Sequence, residues 1–185
     1  MGCQYNSTLA YSVLRTQDLH DQCHSPPSDA EDLKPDIIQS RHWLVQNNQY
    51  YSKNDNLFCF GKPRSVLLCK LEGRLKGLLA NSSPLILVVH GGHRQTTLLQ
   101  KLNINLAPVF TLDTTSCPLS TPDFLHLSLK RLLQAFSIPF TGDRLHVAGN
   151  DAHFTLRVLL MIAVTDVQRE LDEAPAWVPV FEAIA

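Results

Sequence analysis

The 185-residue chain lacks the cysteine patterns that staple small proteins. Its five cysteines are odd in number and scattered, and no CxxC motif occurs, which excludes a disulfide framework and a zinc knuckle. The longest apolar run, residues 85–89, is far shorter than the roughly 20 residues that span a bilayer. A basic segment followed by an apolar one, as in signal peptides, is also missing. We therefore expect reduced thiols, a cytoplasmic or nuclear location and no membrane association.

The chain also lacks an excess of charge of either sign. Sixteen lysines and arginines stand against 17 aspartates and glutamates, so the net charge is −1 and no overall basic footprint exists. Contact with RNA or single-stranded DNA would therefore need a local patch. Such patches are typical of solvated helix faces as well as of nucleic-acid grooves. The candidates are Lys62, Arg64, Lys70, Arg74 and Lys76, with smaller groups at Lys130 and Arg131 and at Arg144 and Arg157.

The N-terminal half of the chain reads mainly as strands. Partial alternation of apolar residues predicts strands at residues 8–16 and 41–46, with a short third strand at 57–60. Residues 20–36 are acidic and contain prolines, which indicates a loop. Apolar residues at three-to-four spacing predict an amphipathic helix over residues 65–79.

In the C-terminal half, helical and strand patterns alternate. The aliphatic run at residues 85–89 predicts a strand buried on both faces. A single domain with a mixed α/β sheet follows from this order, and no internal repeat appears. The aromatic residues Trp177 and Phe181 predict that the tail docks on the body of the domain. The further elements that we predict are helices at 95–102, 122–136 and 150–164 and a strand at 108–112.

The most informative segment is Leu-His-Val-Ala-Gly-Asn-Asp-Ala at residues 145–152, where His146 and Asp151 stand at the entrance to a helix. A carboxylate at this position is favoured simply because it caps backbone N–H groups and suits the helix dipole. A hydrolase that uses two Mg²⁺ ions needs several carboxylates and a base that accepts a proton near neutral pH. His146 and Asp151 fit a base and one ligand, so both interpretations stay open.

Together the segments resemble the ribonuclease H-like 3′-5′ exonucleases that carry four acidic residues and a histidine, the DEDDh or DnaQ-type superfamily. The stretches LVVHGGH, LNINLAPVFTLDT and RLHVAGNDAHFTLRVLLMIA are more narrowly similar to a fungal branch that includes a yeast suppressor of an mRNA-export helicase defect. The resemblance covers about residues 8–166, which would form the domain, and residues 167–185 would be a docked tail.

The resemblance implies a role for each matching residue. His146 matches the general base and Asp151 a metal ligand, with Mg²⁺ or Mn²⁺ as the family's cofactor. His90 matches the end of the strand of the second motif, where Gln95 occupies the place of an aspartate, and a neutral amide is a poor substitute for an anionic ligand. Asp113 matches a residue that we interpret as structural.

The first motif of the family, Asp-x-Glu on the opening central strand, has no counterpart, because no acidic residue precedes Asp18. Residues 29–31 read Asp-Ala-Glu, but they lie in the proline-bearing loop and we do not assign them to this motif. We thus expect a ribonuclease H-like sheet without its first strand. The place of the first strand, between the strands at 8–16 and 85–89, would then be filled in one of three ways. The two strands could pair directly, a strand could be exchanged with another protomer, or the gene model could be incomplete.

The sequence leaves open whether the protein is an enzyme. The leading hypothesis is a degenerate exonuclease-fold module, impaired in catalysis, that binds nucleic acid or protein. The alternative is an active Mg²⁺- or Mn²⁺-dependent 3′-5′ exonuclease, acting on RNA or single-stranded DNA, whose missing ligands come from an upstream extension or a second chain. A zinc site at His90 and His93 is disfavoured, because no thiol or carboxylate is near them in sequence.

Overall fold

The three-stranded sheet is built from the N-terminal third of the chain. The computed structural model describes residues 8–24, 37–46, 55–79, 84–116 and 124–185. Strand β1 (Thr8–Leu14) pairs antiparallel with β2 (Ile38–Gln46), which pairs parallel with β3 (Arg64–Leu67). Helix α1 (Thr16–His24) follows β1. The sheet is mixed in direction, as the sequence predicts.

A second, two-stranded sheet follows. Helix α2 (Leu68–Leu79) leads from β3, and β4 (Ile86–Val89) then pairs parallel with β5 (Phe110–Asp113) across α3 (His93–Lys101). The remaining elements are α4 (Leu129–Ala135), the long helix α5 (Ala148–Glu170) and α6 (Val178–Ile184), which packs on α5. Within the described residues, no helix is both long and apolar enough to cross a membrane.

Helix α5 lies against both sheets. It contacts β1, β2 and β4, whereas the strands at the far edges, β3 and β5, make few contacts with it or none. The free edge of β1 and an edge of β4 therefore lie over the same helix without pairing with each other. In the described part of the chain, the direct pairing of these two strands is thus not observed.

Two apolar cores lie on opposite faces of the three-stranded sheet. Between α4 and α5, the first core includes the fully buried Leu132 and Val158. The second lies between the sheet and α2, where Trp43 packs with Leu71 and Leu75. These helices flank the sheet on both sides, which is the layered arrangement of a ribonuclease H-like α/β fold.

Two of the predictions for the N-terminal half are wrong. The predicted loop at residues 20–36 begins too early, because α1 continues to His24; the restriction on residues before proline applies only from Ser25, and residues 25–36 lie outside the described structure. Residues 57–60 form no strand. Instead the third strand is β3, the start of the predicted helix 65–79, because pairing with β2 overrides the helical pattern.

Two further predictions need correction. Strand β4 is not buried on both faces, since Ile86 is 46% exposed and Val89 is the one residue of the strand that is buried. The predicted helix 122–136 begins only at Leu129, where the Ser128 side chain accepts a hydrogen bond from the Arg131 N–H and caps it. Leu125 is consequently exposed, while Leu132 and Leu133 face the core as predicted.

Candidate functional site

The candidate site is built at the start of α5, where the chain turns sharply. His146 has a positive φ of 65°, an uncommon conformation for a residue with a side chain. This turn directs the His146 backbone N–H to Asp151 Oδ1, at 3.1 Å. The sequence pair is therefore one local unit, in which the carboxylate caps the turn ahead of the helix.

The two side chains of this pair differ in exposure. His146 is exposed, whereas Asp151 is half-buried. Burial raises the pKa of the Asp151 carboxyl above its ordinary value, and the hydrogen bond and charge of His146 only partly offset that effect. The Asp151 carboxylate thus has little electrostatic compensation around it.

Asn150 holds the same turn in place from inside the protein. It is fully buried, and its Oδ1 accepts a hydrogen bond from the Cys59 N–H at 2.9 Å. Its Nδ2 donates to the carbonyl oxygens of Leu57 at 2.9 Å and Arg144 at 2.8 Å. One side chain therefore joins the helix start to the segment just before it and to the loop at residues 57–59, which is distant in sequence.

Gly149 allows α5 to approach the loop that carries Phe58. A Cβ at position 149 would lie 2.6 Å from two ring carbons of Phe58 and 3.0 Å from the Cβ of His42. The Gly149 N–H donates to His42 Nδ1 at 3.3 Å. The Gly-Asn part of the motif is therefore explained by packing and hydrogen bonding at the helix start.

A partly buried chain of polar side chains runs from α5 into the sheet, and it was not predicted from the sequence. The hydroxyls of Ser12 and Ser40 lie 2.7 Å apart, and Ser40 Oγ is 3.0 Å from His153 Nδ1. The His153 ring stacks on Phe60 with 3.5 Å between centroids. Burial, together with the nearby charge of Arg157, lowers the pKa of His153 to about 4, so its imidazole is neutral near pH 7. Only the fold brings these residues together, from four segments of the chain.

The segment that we predict to match the second motif forms a structural turn. His90 Nδ1 lies 2.8 Å from Thr114 Oγ1, and that hydroxyl donates its hydrogen to the Val89 carbonyl oxygen at 3.3 Å. His90 must therefore be the donor to Thr114 through Nδ1–H. Burial lowers the pKa of His90, although the charge of Asp113 acts in the opposite direction. Gln95 is exposed in the first turn of α3.

Asp113 is fully engaged in holding this turn. Its carboxylate accepts hydrogen bonds from the backbone N–H groups of Gly91, Gly92 and Thr115 and from the Thr115 hydroxyl, at 2.8–3.0 Å. Burial by itself raises the pKa of Asp113, but these hydrogen bonds outweigh it and the net pKa lies below the ordinary value. The carboxylate ties the end of β5 to the start of α3, in agreement with the structural role expected for it.

The residues that the structure describes do not fit a two-metal centre. Across the described ranges, no three histidine, cysteine, aspartate or glutamate side chains are grouped so that they could hold a metal ion. Asp151 is a single carboxylate that already caps a turn, and two Mg²⁺ ions require several anionic oxygens. The structure thus brings His146 and Asp151 together, and among the described residues it groups no further candidate metal ligand with them.

Comparison with family models gives one match, which covers residues 9–162, or 154 of the 185 residues. The model is described as DNA polymerase III subunit epsilon-like, C-terminal domain, of the DEDDh type. No curated protein matches the chain. The matched range extends from β1 to the C-terminal part of α5 and includes the whole candidate site.

Proposed function

Because the chain belongs to the DEDDh family of DNA polymerase III epsilon-like C-terminal domains, we propose that it is an exonuclease-fold module that binds RNA or single-stranded DNA and is impaired in cleavage. Membership in an exonuclease family supports the contact with nucleic acid. Within the family, the stretches RLHVAGNDAHF and LVVHGGH support placement in the fungal branch.

The observation that carries the impairment is the engagement of the carboxylates. Asp151 caps the His146 turn, Asp113 holds the β4–α3 turn, and Gln95 offers a neutral amide. Loss of even one metal ligand removes a large part of the rate in such sites. Binding can persist without cleavage, because phosphate contacts depend on cationic side chains and not on carboxylates.

A nuclease assay tests this proposal. Purified protein is incubated with end-labelled single-stranded RNA and DNA, with Mn²⁺ or with EDTA, and products are resolved on a sequencing gel. We expect no trimming in either condition, together with a gel shift. Metal-dependent trimming that disappears in Asp151→Ala, but survives in Asp143→Ala, an exposed neighbouring carboxylate, would refute the impairment.

The second candidate function is an active exonuclease completed by another strand of polypeptide. Within the described ranges, β1 and β4 each have an unpaired edge over α5, which favours this candidate because sheet edges are satisfied by a strand that pairs with them. An added strand there would supply carboxylates near the start of α5. If a second copy supplies it, trimming per molecule must rise with protein concentration, and a flat dependence rejects that version.

A further inference from the structure

One face of the three-stranded sheet points away from α5, and this face carries a cluster of cationic side chains. Ser40 and His42 point to α5, as their contacts with His153 and Gly149 show. Since side chains alternate along a strand, Arg41 and Trp43 point the other way. Trp43 is indeed buried in the core formed with α2.

The strand register brings two arginines to the same patch. Arg41 is paired with Tyr11 across the β1–β2 ladder, and Arg64 is paired with Trp43 across the β2–β3 ladder. The rings of Tyr11 and Trp43 meet edge to face with 5.0 Å between centroids. Arg41 and Arg64 therefore flank one aromatic pair on one face of the sheet.

Helix α2 brings the third arginine. Its Leu71 and Leu75 cover Trp43, and Arg74 precedes Leu75 at the border of this contact. The charges of Arg41, Arg64 and Arg74 all act on the Tyr11 hydroxyl, where they oppose the rise in pKa caused by burial. The three guanidinium groups thus lie around one point, although they come from three different elements.

Among the described residues, no acidic side chain is paired with the cluster. All three arginines are exposed, and none of them makes an ion pair with another described residue. On α2, Glu72 is paired with Lys76 at 2.7 Å, so the two charges cancel each other. The surface around Tyr11 is therefore locally basic, although the chain as a whole has a net charge of −1.

We propose that Arg41, Arg64 and Arg74 form a binding surface for the phosphates of single-stranded nucleic acid, on the sheet face opposite α5. Guanidinium groups bind phosphate oxygens with two parallel hydrogen bonds and remain charged at every physiological pH. A flexible single strand can bend so that successive phosphates reach cations grouped around one point. This surface rests on the proposed nucleic-acid function and adds a location and a ligand chemistry to it.

Fluorescence anisotropy with a labelled 15-nucleotide single strand, RNA or DNA, tests the surface in EDTA, so that no metal contributes. Each phosphate contact should contribute about 0.7 to the magnitude of the negative slope of log affinity against log salt concentration, so three contacts should give a slope of about −2. Arg41→Ala and Arg74→Ala should each weaken binding about five- to tenfold and lower the slope by about 0.7. Arg169→Ala, an exposed arginine near the C-terminal end of α5 that is paired with Asp166, should leave both quantities unchanged.

The outcomes separate this surface from the proposed function. If the wild type binds but the arginine variants bind equally well, the surface is wrong while the nucleic-acid function stands; if the wild type does not bind, both are wrong. Tighter binding of a duplex of the same length, or displacement of the strand by poly-glutamate at equal charge, overturns the assignment to single strands. Circular dichroism checks that each variant is folded.

Discussion

The buried amide of Asn150 offers a quantitative test of how the start of α5 is held. Its three hydrogen bonds reach Cys59, Leu57 and Arg144, and each contributes about 1 kcal/mol net. The Leu57 oxygen keeps a bond from the Arg144 guanidinium at 3.3 Å, so it does not become an unsatisfied acceptor. We therefore expect Asn150→Ala to lower the free energy of unfolding by about 3 kcal/mol, a large part of the ~5–15 kcal/mol typical of a domain.

Asn150→Asp has the same shape and separates hydrogen bonding from packing. A carboxylate cannot donate, so it would face the Leu57 and Arg144 carbonyl oxygens with a negative charge. Burial and these oxygens raise the pKa of the new carboxyl in the folded state. Its stability deficit should be smallest below the unfolded pKa of about 3.9 and should grow as pH rises through the folded value. Near pH 7, it should destabilise more than alanine does.

Urea unfolding followed by far-UV circular dichroism at pH 4 and pH 7 measures these differences. Gln134→Ala, an exposed position on α4, is the matched control and should change stability by less than about 0.5 kcal/mol. A loss below about 1 kcal/mol for Asn150→Ala, or a pH-independent deficit for Asn150→Asp, would show that the three hydrogen bonds do not hold the turn.

Three further predictions concern packing and pH. Gly149→Ala should lower the free energy of unfolding by about 1–3 kcal/mol, because the new Cβ would overlap the buried Phe58 ring. Gly73→Ala is the comparison, since its Cβ would have no atom within 4 Å, and it should stabilise α2 by up to about 1 kcal/mol. Thermal unfolding compares the two variants. The pKa of His153 is lowered to about 4 in the folded protein, so below pH 6.5 the unfolded chain takes up the proton first and the protein should lose stability. His153→Gln should flatten that part of the curve of stability against pH. Since the pKa of Asp113 is lowered, wild type should lose stability as pH falls through about 3.8, and Asp113→Asn should reduce that acid-dependent loss; urea unfolding between pH 2 and pH 5 checks it.

Much of the fold was predictable from local patterns. The strand that starts at Thr8, the helix that follows His93 and the long helix after Val147 all carry their periodicity in consecutive residues. The segment at residues 64–67 was not predictable in this way, because its apolar spacing also suits a helix. Its pairing with β2 is a contact with a distant segment, and only that contact makes it a strand.

The candidate site shows the same division. The cap between Asp151 and His146 could be anticipated, because the two residues are five apart and the helix begins between them. The Ser40–His153 contact could not be, because 113 positions separate its members. Sequence spacing carries no information about which polar groups a folded core places together.

The sequence by itself determined the relationship of this chain to the DEDDh exonucleases and the helix entered at His146 and Asp151. The tertiary structure decided what the carboxylates and cations are used for. Asp113 binds the turn after β4, and the two come together only because β4 and β5 pair in the sheet. Arg41, Arg64 and Arg74 lie together because of strand register and helix packing. Local sequence sets which residue types are present, whereas the partners of a side chain are set by the packing of segments that are distant along the chain.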